Sequence, residues 1–207
     1  MIGHDWGSAI GWSFITEPHY ASRILSYTSL SGPHVGLTMH LARQAIVTRN
    51  LAKAREFTKQ FVLSWYVYMF NIPVLPEMLL KTYGLPVWKK VLNDNGVRDS
   101  SPYLNINQDE VNRITLKPLG LYRQNPWNPP KVPDANGIKT PVQLIVATED
   151  NFISENIFRD YDRFVPSLTR HNLRAKYWAH HSHADEFNRL VVQFVQGIEQ
   201  TTNSRVA

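Results

Sequence analysis

A short glycine-flanked motif near the start of the chain constrains its fold more than any other feature. Met1-Ile2 has the character of a strand end and runs into Gly3-His4-Asp5-Trp6-Gly7, which has the form G-x-D-x-G. A helix is predicted from Ser8 to about Pro18, so the motif occupies a strand-to-helix junction. Such a turn exposes its central side chain above a sheet, close to the N-terminal NH groups of the next helix. Asp5 is therefore a candidate nucleophile that would form an ester, although an ordinary βα turn with a capping aspartate has the same pattern.

Strand and helix signals alternate at both ends of the chain, which predicts an α/β fold with a mostly parallel sheet. Besides the strand at Met1-Ile2, the candidate strands are 24–30, the apolar run 142–147 and 173–178. Apolar residues over 153–165 and 187–198 recur at helical spacing and predict one helix after each of the last two candidate strands.

A long helical insertion separates the two α/β segments. Apolar residues recur at helical spacing from about 37 to 125, with short helices expected at 76–83, 86–93 and 108–116. The proline-rich stretch 126–140 is predicted to be a loop that returns to the sheet.

Composition excludes several classes of protein. The 207 residues are 43% hydrophobic and only 19% charged, which excludes a largely disordered chain. The absence of cysteine excludes disulfides, thiol catalysis and cysteine-ligated zinc, and fits a cytoplasmic setting. No apolar run approaches the ~20 residues that span a bilayer. The net charge of +5 comes from scattered Lys and Arg residues, so no nucleic-acid partner is predicted.

The longer string GHDWGSAIGW (3–12) resembles the nucleophile elbow of α/β-hydrolases of the epoxide hydrolase and haloalkane dehalogenase group. The resemblance implies a hydrolase core at 1–36 and 126–207, with an inserted helical cap at 37–125. It also implies that Asp5 attacks a substrate carbon, that the amide NH of Trp6 contributes to an oxyanion hole, and that no cofactor or metal is needed.

Two strings in the insertion resemble the cap of epoxide hydrolases. In SWYVYMFNIPVLPE (64–77) the resemblance assigns the first catalytic tyrosine to Tyr66, and in PLGLYRQN (118–125) it assigns the second to Tyr122. Two phenols would hydrogen-bond an epoxide oxygen and protonate the leaving alkoxide. The neighbouring Trp65 and Phe70 would then bind a hydrophobic substrate.

The last two catalytic positions fit the resemblance unequally. Asp150 follows the strand 142–147, where the family places the acid that orients its base. The family's base histidine aligns with Tyr177, and an unperturbed tyrosine pKa of about 10 makes a poor base at neutral pH. His180 is the nearest histidine that could replace it. The run His180-His181-Ser182-His183 could alternatively bind a metal, but adjacent histidines on a loop lack the geometry of a helical metal site.

The resemblance covers only the C-terminal two-thirds of the family's domain. A His-Gly-x-Pro oxyanion loop and several early strands have no counterpart, so the chain is expected to be truncated. Apolar residues at 1–2 and 24–30 should then be exposed or covered by a partner. Bacterial relatives joined to a short-chain dehydrogenase are similar over the final 60 residues, although no G-x-G-x-x-G is present.

The sequence therefore predicts an epoxide hydrolase-like enzyme that acts on a small hydrophobic epoxide and is impaired in its second half-reaction. Two alternatives stay open. A haloalkane dehalogenase would use the indole NH of Trp6, with Trp127 as a second halide donor, and a non-catalytic fragment or pseudoenzyme would act as a binding module. The sequence also leaves open whether the chain forms a homo-oligomer.

Overall fold

The sheet contains four parallel strands that lie side by side in chain order. The computed structural model describes residues 1–125 and 127–206, with side chains as far as 201. The strands are β1 (Ile2–His4), β2 (Tyr27–Leu30), β3 (Val142–Ala147) and β4 (Leu168–Leu173). Parallel strands direct their carboxyl ends to one edge of the sheet, so the predicted elbow and acid loop meet there.

Ten α-helices cover or extend from the sheet within the described residues. They are α1 (Trp6–Thr16), α2 (Pro18–Ala21), α3 (Val35–Val47), α4 (Leu51–Leu63), α5 (Trp65–Phe70), α6 (Leu75–Asp94), α7 (Gln108–Leu116), α8 (Leu119–Gln124), α9 (Ala179–Ser182) and α10 (Ala184–Val206). Short 3₁₀ turns lie at Pro102–Leu104, Glu155–Phe158 and Tyr161–Arg163.

The side chains of β3 alternate between two hydrophobic clusters, one on each face of the sheet. Leu144 packs with Trp12 and Leu37 on the face covered by α1 and α3. Ile145 packs with Leu190 of α10 on the opposite face. Burial on both faces explains why β3 is apolar at every position except Gln143 instead of alternating between apolar and polar residues.

The helices α3 to α8 form the insertion between β2 and β3. Its first helix belongs partly to the core, because Leu37 and Leu41 are buried in the cluster beside α1. Among the described residues, helices α4, α5 and α6 carry ten exposed large apolar side chains. The division into a core at 1–36 and 126–207 and a cap at 37–125 stays a prediction.

Three predicted elements differ from the structure. The last strand is 168–173 rather than 173–178: its polar residues suit an edge strand, whereas the buried Ala175 and Tyr177 lie beyond the ladder. The helix face predicted over 153–165 forms two 3₁₀ turns that bury the same apolar residues. The helices expected at 76–83 and 86–93 are one helix, α6, which contains Pro86. The side chain of Gln108 accepts a hydrogen bond from the Leu85 NH beside this proline.

The apolar flank near the first strand is exposed only in part. Ile2 is 57% exposed and Leu25 is 78% exposed, whereas all four residues of β2 are buried. No helix in the described ranges is long and apolar enough to cross a membrane.

Candidate active site

The Asp5 side chain stands on a tight turn at the carboxyl end of β1. Its backbone has φ 55°, a conformation that non-glycine residues rarely adopt, and α1 begins at the next residue. A Cβ atom added at Gly3 would lie 2.5 Å from the Gly7 carbonyl oxygen, and one at Gly32 would lie 2.2 Å from the Asp5 carbonyl oxygen. Glycine is therefore required at both positions for the close backbone approach around Asp5, whose own backbone is strained.

Burial raises the pKa of the Asp5 carboxyl to about 6. Hydrogen bonds from the Tyr177 side chain and the Trp6 amide oppose this shift, while the nearby charge of Asp150 reinforces it. Above pH 6 the carboxyl is mostly ionised and able to act as a nucleophile, yet it is poorly solvated.

Tyr66 and Tyr122 face the same space as Asp5. Their ring centroids are 6.0 Å apart, and the charge of Asp5 acts on both phenols. Burial raises both tyrosine pKa values well above their usual range, so both hydroxyls stay protonated at neutral pH. The Trp6 ring meets Tyr122 edge-on at 5.1 Å, and its side chain hydrogen-bonds the phenol.

Asp150 lies in the turn after β3, as predicted. Its Oδ1 accepts hydrogen bonds from the NH groups of Phe152 at 2.7 Å and Ile153 at 2.9 Å. Burial raises the Asp150 pKa, and these two hydrogen bonds oppose the shift. The charge of Asp150 acts on Asp5, since both residues lie at the carboxyl edge of the sheet, after β3 and β1, with only β2 between these strands.

Tyr177 occupies the position where the resemblance implies a histidine. Its hydroxyl hydrogen-bonds the Asp5 carboxylate, while its ring packs 4.8 Å from Phe152 and 4.6 Å from His4. Burial, followed by the charge of Asp5, raises the pKa of this phenol well above 10. Tyr177 can donate a hydrogen bond at neutral pH, but it is unable to accept a proton from water.

His180 packs against His4. The two imidazole centroids are 4.4 Å apart, and the Nε2 of His4 donates to the Tyr177 carbonyl oxygen at 3.1 Å. Burial and the neighbouring His181 lower the pKa of His180. The role of His180 as a replacement base stays a prediction, and none of these contacts joins it to the Asp5 carboxylate.

The two predicted apolar binding residues differ in exposure. Phe70 is half-buried, and its ring lies 4.8 Å from Tyr122 and 5.8 Å from Tyr66. Trp65 is 64% exposed and touches the site only through an edge contact with Tyr66 at 6.5 Å.

Phe152 is a site residue that the sequence did not single out. Its ring lies 5.7 Å from that of Tyr66 on α5 and 4.8 Å from that of Tyr177, and so connects this helix of the insertion to Tyr177. The sequence signal that could have identified Phe152 as a site residue is its position two residues after Asp150. The structure brings together Asp5, Tyr66, Tyr122 and Asp150, and their catalytic roles stay predictions. In the described part of the chain, no cluster of three or more His, Asp or Glu residues could hold a metal ion.

Comparison with solved structures identifies the architecture as the α/β-hydrolase fold. An epoxide hydrolase from Bacillus megaterium superposes with a TM-score of 0.72 at 19% sequence identity, over 94% of this chain and 68% of that one. The structure of a "Putative Acyltransferase" from Salmonella enterica superposes with a TM-score of 0.66 at 13% identity, over 95% of this chain and 64% of that one. No protein-family model matches this chain.

Among curated proteins, the sequence relatives are epoxide hydrolases and other α/β-hydrolase superfamily members, which confirms the resemblance seen in the motifs. The chain is 24% identical over 201 residues to "Probable oxidoreductase EphD" of Mycobacterium tuberculosis, covering 94% of this chain and 33% of that protein. It is 22% identical over 208 residues to "Epoxide hydrolase 3" of Xenopus tropicalis, covering 95% of this chain and 52% of that protein. The chain thus spans between a third and about half of the length of these relatives.

Proposed function

We propose that the chain opens a small hydrophobic epoxide through a covalent ester at Asp5 and hydrolyses that ester slowly or not at all. The observation that carries this proposal is the meeting of one strained carboxylate with three protonated phenols. Tyr66 and Tyr122 can donate hydrogen bonds and a proton to the epoxide oxygen as the ring opens. Tyr177 occupies the position where hydrolysis of the ester requires a base.

In the first half-reaction, a carboxylate oxygen of Asp5 attacks one epoxide carbon as the bond between that carbon and the ring oxygen breaks. The electron pair of the broken bond goes to the oxygen, which takes a proton from Tyr66 or Tyr122. The resulting phenolate regains its proton from solvent, so this step needs no cofactor. The apolar ring of Phe70 beside both phenols supports a hydrophobic substituent on the epoxide.

In the second half-reaction, water must attack the carbonyl carbon of the Asp5 ester and lose a proton to a base. A histidine at position 177 would accept that proton, with Asp150 holding its ring in position. Tyr177 is unable to do so, because its pKa lies well above 10. We therefore expect the ester to accumulate after a single turnover.

A haloalkane dehalogenase is less well supported by the geometry. Halide release would require free indole NH groups directed at the leaving ion. The Trp127 indole instead donates to the Asn71 side-chain oxygen at 2.9 Å, and the Trp6 side chain hydrogen-bonds Tyr122.

Mass spectrometry of the 207-residue chain incubated with phenyl glycidyl ether tests the proposal. We expect the protein mass to increase by the full mass of the epoxide, because ring opening expels no group, and peptide mapping should place the ester on Asp5. The Asp5→Asn variant should stay unmodified. The Tyr177→His variant should release diol over many turnovers.

A matched pair of tyrosine variants distinguishes the two phenols from general effects on the cap. Tyr66→Phe should slow ester formation by roughly 10²-fold, the lower range for loss of an acid catalyst. Tyr68→Phe, whose ring contacts Phe61 on a half-exposed surface, should leave the rate unchanged. If neither ester nor diol forms with wild type or Tyr177→His, the chain is a binding module and not an enzyme of this kind.

A further inference from the structure

Gln60 is a buried polar residue in the middle of the insertion. It is 8% exposed, whereas every other residue of α4, which the structure describes throughout, is half-buried or exposed. A side-chain amide that is removed from water must find its hydrogen-bond partners within the protein. The partners of Gln60 therefore show which segments this side chain holds together.

The amide of Gln60 binds the loop that follows Asp150. Its Nε2 donates to the Phe152 carbonyl oxygen at 2.9 Å, and its Oε1 accepts from the Ser154 NH at 2.7 Å. Because the loop presents one acceptor and one donor, a single orientation of the amide satisfies both. The Phe152 NH donates in turn to Oδ1 of Asp150 at 2.7 Å. The backbone of Phe152 is thus fixed at both its NH and its carbonyl group.

Gln60 also binds the junction between α4 and α5. Its Nε2 donates to Ser64 Oγ at 3.0 Å, so both donor positions of the amide have a partner. Ser64 lies between the last residue of α4 and the first residue of α5, two residues before Tyr66. One amide therefore connects the loop after Asp150 to the start of the helix that carries Tyr66.

Aromatic contacts extend this connection to the groups proposed to react. The ring of Phe152 lies 5.7 Å from that of Tyr66 and 4.8 Å from that of Tyr177, whose hydroxyl hydrogen-bonds Asp5. The charges of Asp5 and Asp150 both act on the Tyr66 phenol, so this phenol lies near both carboxylates. A displacement of the loop would therefore change the position of Tyr66 relative to Asp5.

We propose that Gln60 is a positioning residue for epoxide opening, which holds the Tyr66 phenol near Asp5 by tying the junction of α4 and α5 to the loop after Asp150. This inference rests on the proposed function, because Tyr66 acts in the step concerned. In the described part of the chain, the Gln60 side chain hydrogen-bonds neither Asp5 nor Tyr66, so it acts through Ser64 and Phe152. A misplacement of about 1 Å can slow a reaction by ~10²-fold, so such contacts affect the rate from a distance.

NMR spectra of the chain labelled with ring-¹³C tyrosine test the positioning without any reaction. The signals of Tyr66 and Tyr177 are identified by their disappearance in Tyr66→Phe and Tyr177→Phe. Gln60→Met keeps the length of the side chain but loses all three hydrogen bonds. Both signals should shift in this variant, because the ring of Phe152 moves relative to them. Gln60→Asn, whose amide is too short to reach both loop atoms, should shift them as well, and it keeps the test decisive if Gln60→Met does not fold.

Gln108 provides a matched control elsewhere in the insertion. Its side chain also makes three hydrogen bonds, with Leu85, Leu80 and Asn112. Gln108→Met should lower the midpoint of urea denaturation, because it breaks as many hydrogen bonds as Gln60→Met. It should nevertheless leave both tyrosine signals at their wild-type positions. A loss of stability would then be separated from a displacement of the site.

Rates of ester formation connect this geometry to the reaction. With phenyl glycidyl ether, Gln60→Met should form the ester about tenfold more slowly than wild type, and Gln108→Met should keep the wild-type rate. In the Tyr66→Phe background, Gln60→Met should change the rate by less than about twofold, because no phenol is left to be positioned.

Three results would overturn the role of Gln60. They are unchanged tyrosine signals in Gln60→Met, an equal slowing of ester formation with and without the Tyr66 phenol, and the same effects in Gln108→Met. A wild-type chain that forms no ester would instead contradict the proposed function, and the tyrosine signals would still decide whether Gln60 positions Tyr66.

Discussion

Asp5 and Tyr177 form the pair of residues on which the proposed chemistry depends. The phenol of Tyr177 donates to the Asp5 carboxylate, and its own pKa lies well above 10. The contact therefore holds the nucleophile in place before the reaction but supplies no base afterwards. With tyrosine at position 177, we therefore expect the ester to form but not to be hydrolysed.

The elevated pKa of Asp5 predicts the pH dependence of ester formation. Only the ionised carboxylate attacks the epoxide, so the rate should be constant well above pH 6, fall to half near pH 6, and decrease about tenfold for each further unit of acid. Stopped incubations with phenyl glycidyl ether, analysed by intact mass between pH 4.5 and 8.5, measure this profile. A midpoint near pH 4, the value of a solvated carboxyl, would contradict the burial of Asp5.

At the scale of single residues, sequence motifs located the carboxylates and cap tyrosines but did not resolve the base. Asp5, Tyr66 and Tyr122 are far apart in the chain but lie close together in the structure. They could be assigned from the sequence because each lies in a recognisable motif. No local pattern could show that the ring of His180 packs on His4.

At the scale of elements, the loop after β2 determines the shape of the elbow. The Gly32 carbonyl oxygen accepts hydrogen bonds from Ser8 Oγ at 2.7 Å and from the Trp12 indole at 3.0 Å. Two side chains of α1 therefore hold the loop after β2, and the Asp5 NH donates to the Leu30 carbonyl oxygen at 3.2 Å. The sequence marked 31–33 only as a strand terminator, since glycine and proline patterns do not show which backbone lies opposite.

This contact predicts that Gly32→Ala destabilises the fold. A Cβ atom at this position would lie 2.2 Å from the Asp5 carbonyl oxygen and 2.5 Å from the Ser8 Cβ atom, so the elbow must shift. We expect the free energy of unfolding to fall by about 1–3 kcal/mol, as for other overpacked sites, together with slower ester formation. Urea denaturation measures the first effect. Gly197→Ala, where an added Cβ meets nothing within 4 Å, should be neutral or slightly stabilising; equal behaviour of the two variants would argue against the close packing at Gly32.

At the scale of the whole molecule, the sheet is held to its helices by polar as well as apolar contacts. The side chain of Gln143, fully buried in β3, accepts from the Thr28 hydroxyl at 3.0 Å and donates to the Leu190 carbonyl oxygen at 2.9 Å. One residue thus links β2, β3 and α10. The first strand contrasts with this centre, because Ile2 on the β1 edge is 57% exposed.

The hydrogen bonds of Gln143 predict that replacing its side-chain amide lowers the stability of the whole fold. Gln143→Leu leaves the buried Thr28 hydroxyl without its acceptor, and we expect the free energy of unfolding to fall by about 1–3 kcal/mol. Chemical denaturation followed by circular dichroism measures the change. The matched substitution Gln196→Leu, on the exposed face of α10, should alter stability by less than about 0.5 kcal/mol. A neutral result for Gln143→Leu would mean that apolar packing compensates for the lost network.

The sequence by itself determined the order of strands and helices, the glycine-flanked turn around Asp5 and the residue types of the site, because these depend on local periodicity and short motifs. Only the tertiary structure decided that β4 lies at 168–173 and that the ring of Phe152 lies against both Tyr66 and Tyr177. These features depend on contacts between distant segments. Such contacts fix burial, and burial sets the pKa values on which the proposed chemistry rests.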